Sequence, residues 1–317
     1  MRTRAIGTVA VILTTAAIVV GVLRTTHPSN ASSNPDLPVP SAVSSDAQAS
    51  GGTPSPVPAD PTTPTLHYVS NTGPHIAAAA NLGFDLFDVS PNKSRIDGLG
   101  AGQRALVWLG NLDNTDCTPG YSWSAFTAAV DRLAHDPKVF GYYISDEPHP
   151  SICSTAVADI RARADYIRAH APGQKSFIVV MDASRICGTH PGCEYRQLNA
   201  HTTHVDLFGI DPFPCHSGAP CAPERIDVEV ERAIDGGIPV NDIVPVFQVF
   251  GQACSSRAGY YQLPSAAALR DMFAQWQASV PDPAFDFAYT WRSEGPACPS
   301  LDRAKSLQSI VREHNAS

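Results

Sequence analysis

The chain has 317 residues, a formal net charge of −8 and eight cysteines. That charge, with no basic cluster beyond the first few residues, excludes an ordinary nucleic-acid binder, which needs a basic patch against the phosphates. An even number of cysteines in a chain that opens like an exported one points instead to disulfides.

The opening Met-Arg-Thr-Arg precedes an uncharged apolar run from Ala5 to Leu23. Basic residues before such a run mark an export signal or an N-terminal membrane anchor. The run is just long enough to span a bilayer as a helix. It lacks a clear small-x-small cleavage site and is followed at once by Arg24, so a cleaved signal and an uncleaved anchor both stay open. Either makes the remainder extracellular or cell-surface. Residues 25–64 are dominated by Pro, Ser, Thr, Ala and Gly and contain no aromatic residue. Such a segment cannot bury enough surface to offset its ordering entropy and reads as a disordered linker. From Thr65 to Ser317 the composition becomes aromatic and periodic, over about 250 residues, the size of one eightfold α/β barrel.

Eight short apolar runs follow in order: 66–71, 84–90, 104–111, 139–145, 176–182, 205–211, 243–250 and 286–292. Their near-continuous apolar character is that of strands buried on both faces. Amphipathic helical patterns lie between them at 122–136, 155–172, 224–237 and 265–280, and a last one ends at His314. The first two connections, PHIAAAANLG and PNKSRIDGLGAG, are the weakest. Strand–helix alternation implies parallel strands joined by crossovers, and eight units imply a closed (β/α)8 TIM barrel in one domain, 65–317. A doubly wound open sheet is the fallback, but no Gly-rich phosphate loop follows the first strand.

Every cysteine falls between a strand and the next helix. In a barrel those loops gather at the C-terminal face, so the cysteines staple one rim. The short loops CGTHPGC and CHSGAPC predict Cys187–Cys193 and Cys215–Cys221. The remaining four pair across neighbouring loops as Cys117–Cys153 and Cys254–Cys298, within the reach a disulfide requires. No C-x-x-C or H-E-x-x-H spacing is present, so no metal and no cofactor are expected. A G-x-S-x-G elbow is absent as well, which removes an α/β-hydrolase.

The chemistry-bearing residues at the same rim are carboxyls. Glu147 ends the fourth strand in GYYISDEPHP, beside Asp146. Asp88, Asp182, Asp211 and Glu294 follow the second, fifth, sixth and eighth strands. Crowded carboxyls raise one another's pKa, which is how an acid stays protonated near neutral pH. Trp108, Tyr143, Tyr289 and Trp291 stand at strand ends, where a ring face suits a sugar, and Gln248 offers an amide from the seventh strand. His149 and His216 lie on rim loops, and Trp276 sits mid-helix as a core residue.

A barrel with GYYISDEPHP on its fourth strand and FAYTWRSEG on its eighth resembles the large clan of retaining glycoside hydrolases. The resemblance implies that Glu147 is the general acid/base and that Trp291 floors a sugar subsite. It also implies a polysaccharide or oligosaccharide substrate, and a monomer is expected. One departure stands out. The clan's nucleophile is a Glu ending the seventh strand, and here VPVFQVFGQAC offers Gln248 and Gln252 instead. A glutamine cannot serve as a covalent nucleophile. The partner acid is therefore Asp211, Glu294 or Asp146, or else the barrel binds carbohydrate without hydrolysing it. A polysaccharide lyase is the third reading.

Overall fold

The computed structural model describes residues 64–181, 193–253, 259–292 and 298–317. Eight parallel strands close in sequence order into a barrel. They are β1 (Leu66–Val69), β2 (Leu86–Val89), β3 (Arg104–Trp108), β4 (Val139–Asp146), β5 (Lys175–Val180), β6 (Leu207–Ile210), β7 (Ile243–Gln248) and β8 (Phe285–Tyr289). The seam is formed by β1 and β8, with His67 opposite Asp286 and Tyr68 opposite Phe287. All eight expected strands are present; seven end a residue or more early where the chain leaves the ladder, and β4 runs one residue further, to Asp146.

Nine α-helices lie among the described residues. The long ones are α3 (Trp123–Leu133), α4 (Ala156–His170), α7 (Arg225–Asp235), α8 (Ala266–Ser279) and α9 (Lys305–His314). Ser122 and Ser265 cap α3 and α8 by accepting backbone N–H groups from Ala125 and Ala268, which satisfies a donor that the helix cannot. The two weak connections hold single turns, α1 (Ile76–Ala80) and α2 (Lys93–Asp97), and the fifth crossover holds two, α5 (Glu194–Gln197) and α6 (Ala200–Thr203). No described helix is long and apolar enough to cross a membrane. The run 5–23 and the linker lie outside the described residues.

Strand alternation divides the core in two. Tyr68, Leu86, Leu106, Phe177, Val246 and Phe287 fill the barrel interior, while their strand neighbours Val69, Phe87, Val107, Ile178, Phe247 and Ala288 pack under the helices. Both faces are therefore dry, which is why the strands read as unbroken apolar runs. At Gly141 a Cβ would sit 2.2 Å from the Lys175 carbonyl oxygen. Only glycine admits that approach of β4 to β5.

The rim staples form as expected where they can be seen. Cys117 and Cys153 are bonded with Cα atoms 5.3 Å apart, and Cys215 and Cys221 with Cα atoms 4.1 Å apart. Cys193 and Cys298 are also disulfide-bonded. The partners expected for them, Cys187 and Cys254, lie outside the described residues.

Candidate active site

β4 is the longest strand, and its pairing with β5 shifts register between Tyr143 and Ser145. Strict alternation from the inward Tyr143 would turn Asp146 away from the barrel axis. The shift re-aims the strand end, as a bulge does, and the Tyr143 hydroxyl donates to Asp146 Oδ1 at 2.6 Å. Glu147 then adopts φ 44°, a left-handed conformation that a side chain with a Cβ rarely takes. Such strain persists only where the surroundings impose it. Together these two irregularities bring both acids to the same cavity. Asp146 therefore lines the cavity despite strict strand alternation.

Two asparagines that the sequence reading missed impose the strain. Asn111 Oδ1 accepts from the Asp146 backbone N–H (2.8 Å) and the Ser145 hydroxyl (3.1 Å). Asn114 donates to the Glu147 carbonyl at 3.0 Å and accepts from the His149 backbone N–H at 3.0 Å. The Glu147 N–H donates to the Val179 carbonyl at 3.1 Å. Cys117–Cys153 ties the loop carrying Asn114 to the loop after Glu147. No local motif announces this clamp. Its parts lie more than thirty residues apart in sequence.

A cavity of about 240 Å³ opens at this end, lined by Asp146, Glu147, Asp211, Phe213, Phe250, Tyr261 and Tyr289, among others. Its size suits one sugar ring, below the roughly 300–1,000 Å³ of sites for drug-sized ligands. Asp211 follows β6, is 6% exposed and has an Oδ1 without a hydrogen-bond partner among the described residues. Burial first, then the charge of Glu147 and a hydrogen bond with it, pushes the Asp211 carboxyl well above the usual carboxylate range. Asp211 thus holds its proton to higher pH than a lone carboxyl would. Burial, with a smaller contribution from Glu147, pushes Asp146 up to about 6, against the hydrogen bond from Tyr143. Tyr261 is pushed up to about 12 by burial and by Asp211 and Glu147. It is a further residue that the sequence reading passed over, in the loop after β7.

The other expected residues divide by position. Tyr289 lines the cavity, and Gln252 does as well. Tyr143 is in the barrel interior with Trp108 packed edge-on against it at 4.7 Å. Asp88 accepts from the Asn71 backbone N–H at 3.0 Å, and burial raises its pKa. Gln248 is fully buried: its amide accepts from Cys215 N–H at 2.8 Å and donates to the Cys215 and Gln262 carbonyls. It ties the loops after β6 and β7 together. Trp291 is buried within the outer core, its Nε1 without a partner among the described residues. His216 packs on the rings of Tyr260 and Tyr261, and Trp276 is core. Asp182 and Glu294 lie outside the described residues.

No protein-family model matches the sequence, and no curated protein matches it. Solved structures do. The barrel is similar to a β-galactosidase from the psychrophilic Marinomonas ef1, at 10% identity and a TM-score of 0.52 over 79% of this chain and 59% of that one. A chitinase from Rhizomucor miehei is similar at 13% identity and a TM-score of 0.52, over 79% of this chain and 99% of that one. GH5_18 from Streptomyces cattleya, in complex with GlcNAc, is similar at 15% identity and a TM-score of 0.53, over 80% and 79%. The chain spans about three fifths of the length of the β-galactosidase. The fold is thus a (β/α)8 barrel of the kind found in glycoside hydrolases. At such identities the likeness is one of architecture, and chemistry must come from the site.

Proposed function

We propose that the chain is an exported glycoside hydrolase acting on an oligosaccharide or polysaccharide that contains an N-acetylated amino sugar, with Glu147 as general acid. The observation that carries this reading is the gathering of Glu147, Asp146 and Asp211 around one cavity. Two-carboxylate glycosidases hold their acids about 5 Å apart or more, on opposite sides of the sugar. Asp211 stays protonated above the usual carboxylate range, which a nucleophile must not, and β7 supplies the buried Gln248. Substrate-assisted glycosidases dispense with the second carboxylate. The sugar's acetamido oxygen attacks C1 while Glu147 gives its proton to the leaving oxygen. The resulting cationic ring is stabilised by the Asp146 carboxylate, ionised above about pH 6. Water then adds at C1, passing a proton to Glu147, and the acetamide is restored with retention. Asp211, kept protonated by burial and by the charge of its neighbours, stands beside them in the cavity. The chitinase and the GlcNAc complex among the structural neighbours agree with this sugar class. Export rests on the apolar run 5–23 and the polar linker that follows it.

The test is Glu147→Gln against the unaltered chain on chitin oligosaccharides and on the corresponding sugars lacking the acetamide. Cleavage of the acetylated series should fall by roughly 10²–10⁴, the usual worth of a general acid, with binding retained. Undiminished hydrolysis by the folded variant would remove Glu147 from the role. Equal cleavage of both series would remove substrate assistance and point to Glu294. A second reading, a carbohydrate-binding barrel without hydrolysis, is favoured by the seventh strand ending in a locked glutamine. Sugar binding with no cleavage by the unaltered chain would select it.

A further inference from the structure

A larger cavity, about 440 Å³, lies at the opposite end of the barrel, where the strands begin. Three potential ligands meet there from three elements. His67 on β1 and Asp286 on β8 face each other across the seam, and His314 comes from the last turn of α9. His67 Nδ1 is 3.0 Å from Asp286 Oδ2, and His314 Nε2 is 2.8 Å from the same oxygen. One ligand atom from each side chain falls within 4.8 Å of the others. Zinc–nitrogen and zinc–oxygen bonds of about 2.0–2.2 Å place neighbouring ligands roughly 3.3 Å apart in a tetrahedron, so the two histidine nitrogens need to close by about 1.5 Å at most and each needs to open from Asp286 Oδ2 by a few tenths of an ångström.

We propose that His67, Asp286 and His314 bind one divalent transition-metal ion, Zn²⁺ by their chemistry, which staples the first strand, the last strand and the last helix together. Two imidazoles and a carboxylate suit zinc and disfavour calcium, which prefers an all-oxygen shell. The rings are held in place before any ion arrives. His314 stacks on Phe273 at 4.1 Å and stands edge-on to Phe247 at 5.3 Å, while His67 is fixed on its strand. Asp286 is 4% exposed, and the histidines are 15% and 20% exposed, so the site is sheltered yet reached from the cavity. A water from that cavity completes the fourth position. Since the N-terminal face of such barrels serves stability rather than chemistry, the ion would act as a staple. The cavity carboxyls of the proposed active site are on the other face. The proposal departs from the sequence reading because ligands separated by 219 and 28 residues form no motif.

The full chain, stripped with chelator and with its disulfides intact, should take up one equivalent of Zn²⁺ and no Ca²⁺. Its Tm should rise by roughly 5 °C at 100-fold excess over Kd. Amide protection should increase in α9. His314→Phe keeps the ring stack but removes the nitrogen, and His67→Gln keeps a polar group of similar reach. Each should weaken uptake by at least about 100-fold, beyond the loss expected from an outer-shell partner. Three results would overturn the site: no stoichiometric zinc uptake by the unaltered chain, uptake unchanged in both variants, or zinc binding that leaves α9 exchange unaltered. The first and third results do not depend on how well a variant folds, because both measurements use the unaltered chain.

Discussion

Replacing Asp146 with Asn should make the barrel more stable at neutral pH and not at pH 4. In the folded chain this carboxyl titrates at about 6, against 3.8 when unperturbed. Below about pH 4 both states hold the proton, and the group favours neither. Between about pH 4 and 6 the unfolded chain has lost a proton that the native state keeps. Stability therefore falls as pH rises through this window. A gap of about two pKa units corresponds to about 3 kcal/mol, taken as an upper figure because Asp146 keeps some contact with solvent in the cavity. An amide does not titrate, and its oxygen still accepts the bond from the Tyr143 hydroxyl. The value of about 6 already includes the help that this bond gives the charged form, so after the discount for solvent screening the net gain at pH 7.5 is about 1–2 kcal/mol. For a barrel of this size that is about 2–8 °C in Tm. Melting curves of both chains at half-unit steps from pH 4 to 8 measure it. A difference that does not change with pH, or one that favours the variant more as pH falls, would refute the reasoning.

Asn114→Ala leaves the Glu147 carbonyl and the His149 N–H without their partner, which should cost about 1–3 kcal/mol and lower kcat more than it raises KM, read from steady-state kinetics on a cleaved oligosaccharide. Gly141→Ala drives a Cβ against the Lys175 carbonyl and should destabilise by roughly 3 kcal/mol or more; a wild-type Tm would show that β4 can move away. A chain beginning at Thr65 should melt with the full chain, because the preceding linker has too few apolar residues to pack on the barrel, and a clear loss of Tm would show that it does.

The barrel was legible because burial on both faces leaves a local trace. Each strand is a short apolar run, each long helix a periodic one, and no run is left over. The cysteine positions were legible for a related reason: loops on one face of a barrel come at regular intervals in the chain. Glu147 was visible as an acid ending the fourth strand. Its companions were decided by tertiary structure. Asp146 enters the cavity through a register shift and a left-handed residue, and both are held by Asn111 and Asn114 from the preceding loop. Asp211 came to line one cavity with Glu147 and Asp146, where burial and their charge keep it protonated, only when the strands closed. Gln248 became a loop clamp through hydrogen bonds to residues 33 and 14 positions away. His67, Asp286 and His314 meet only when the barrel closes. Periodicity records what each residue must do with water, and that is a local property. Distances between side chains from different strands depend on closure, and no single stretch of sequence carries them.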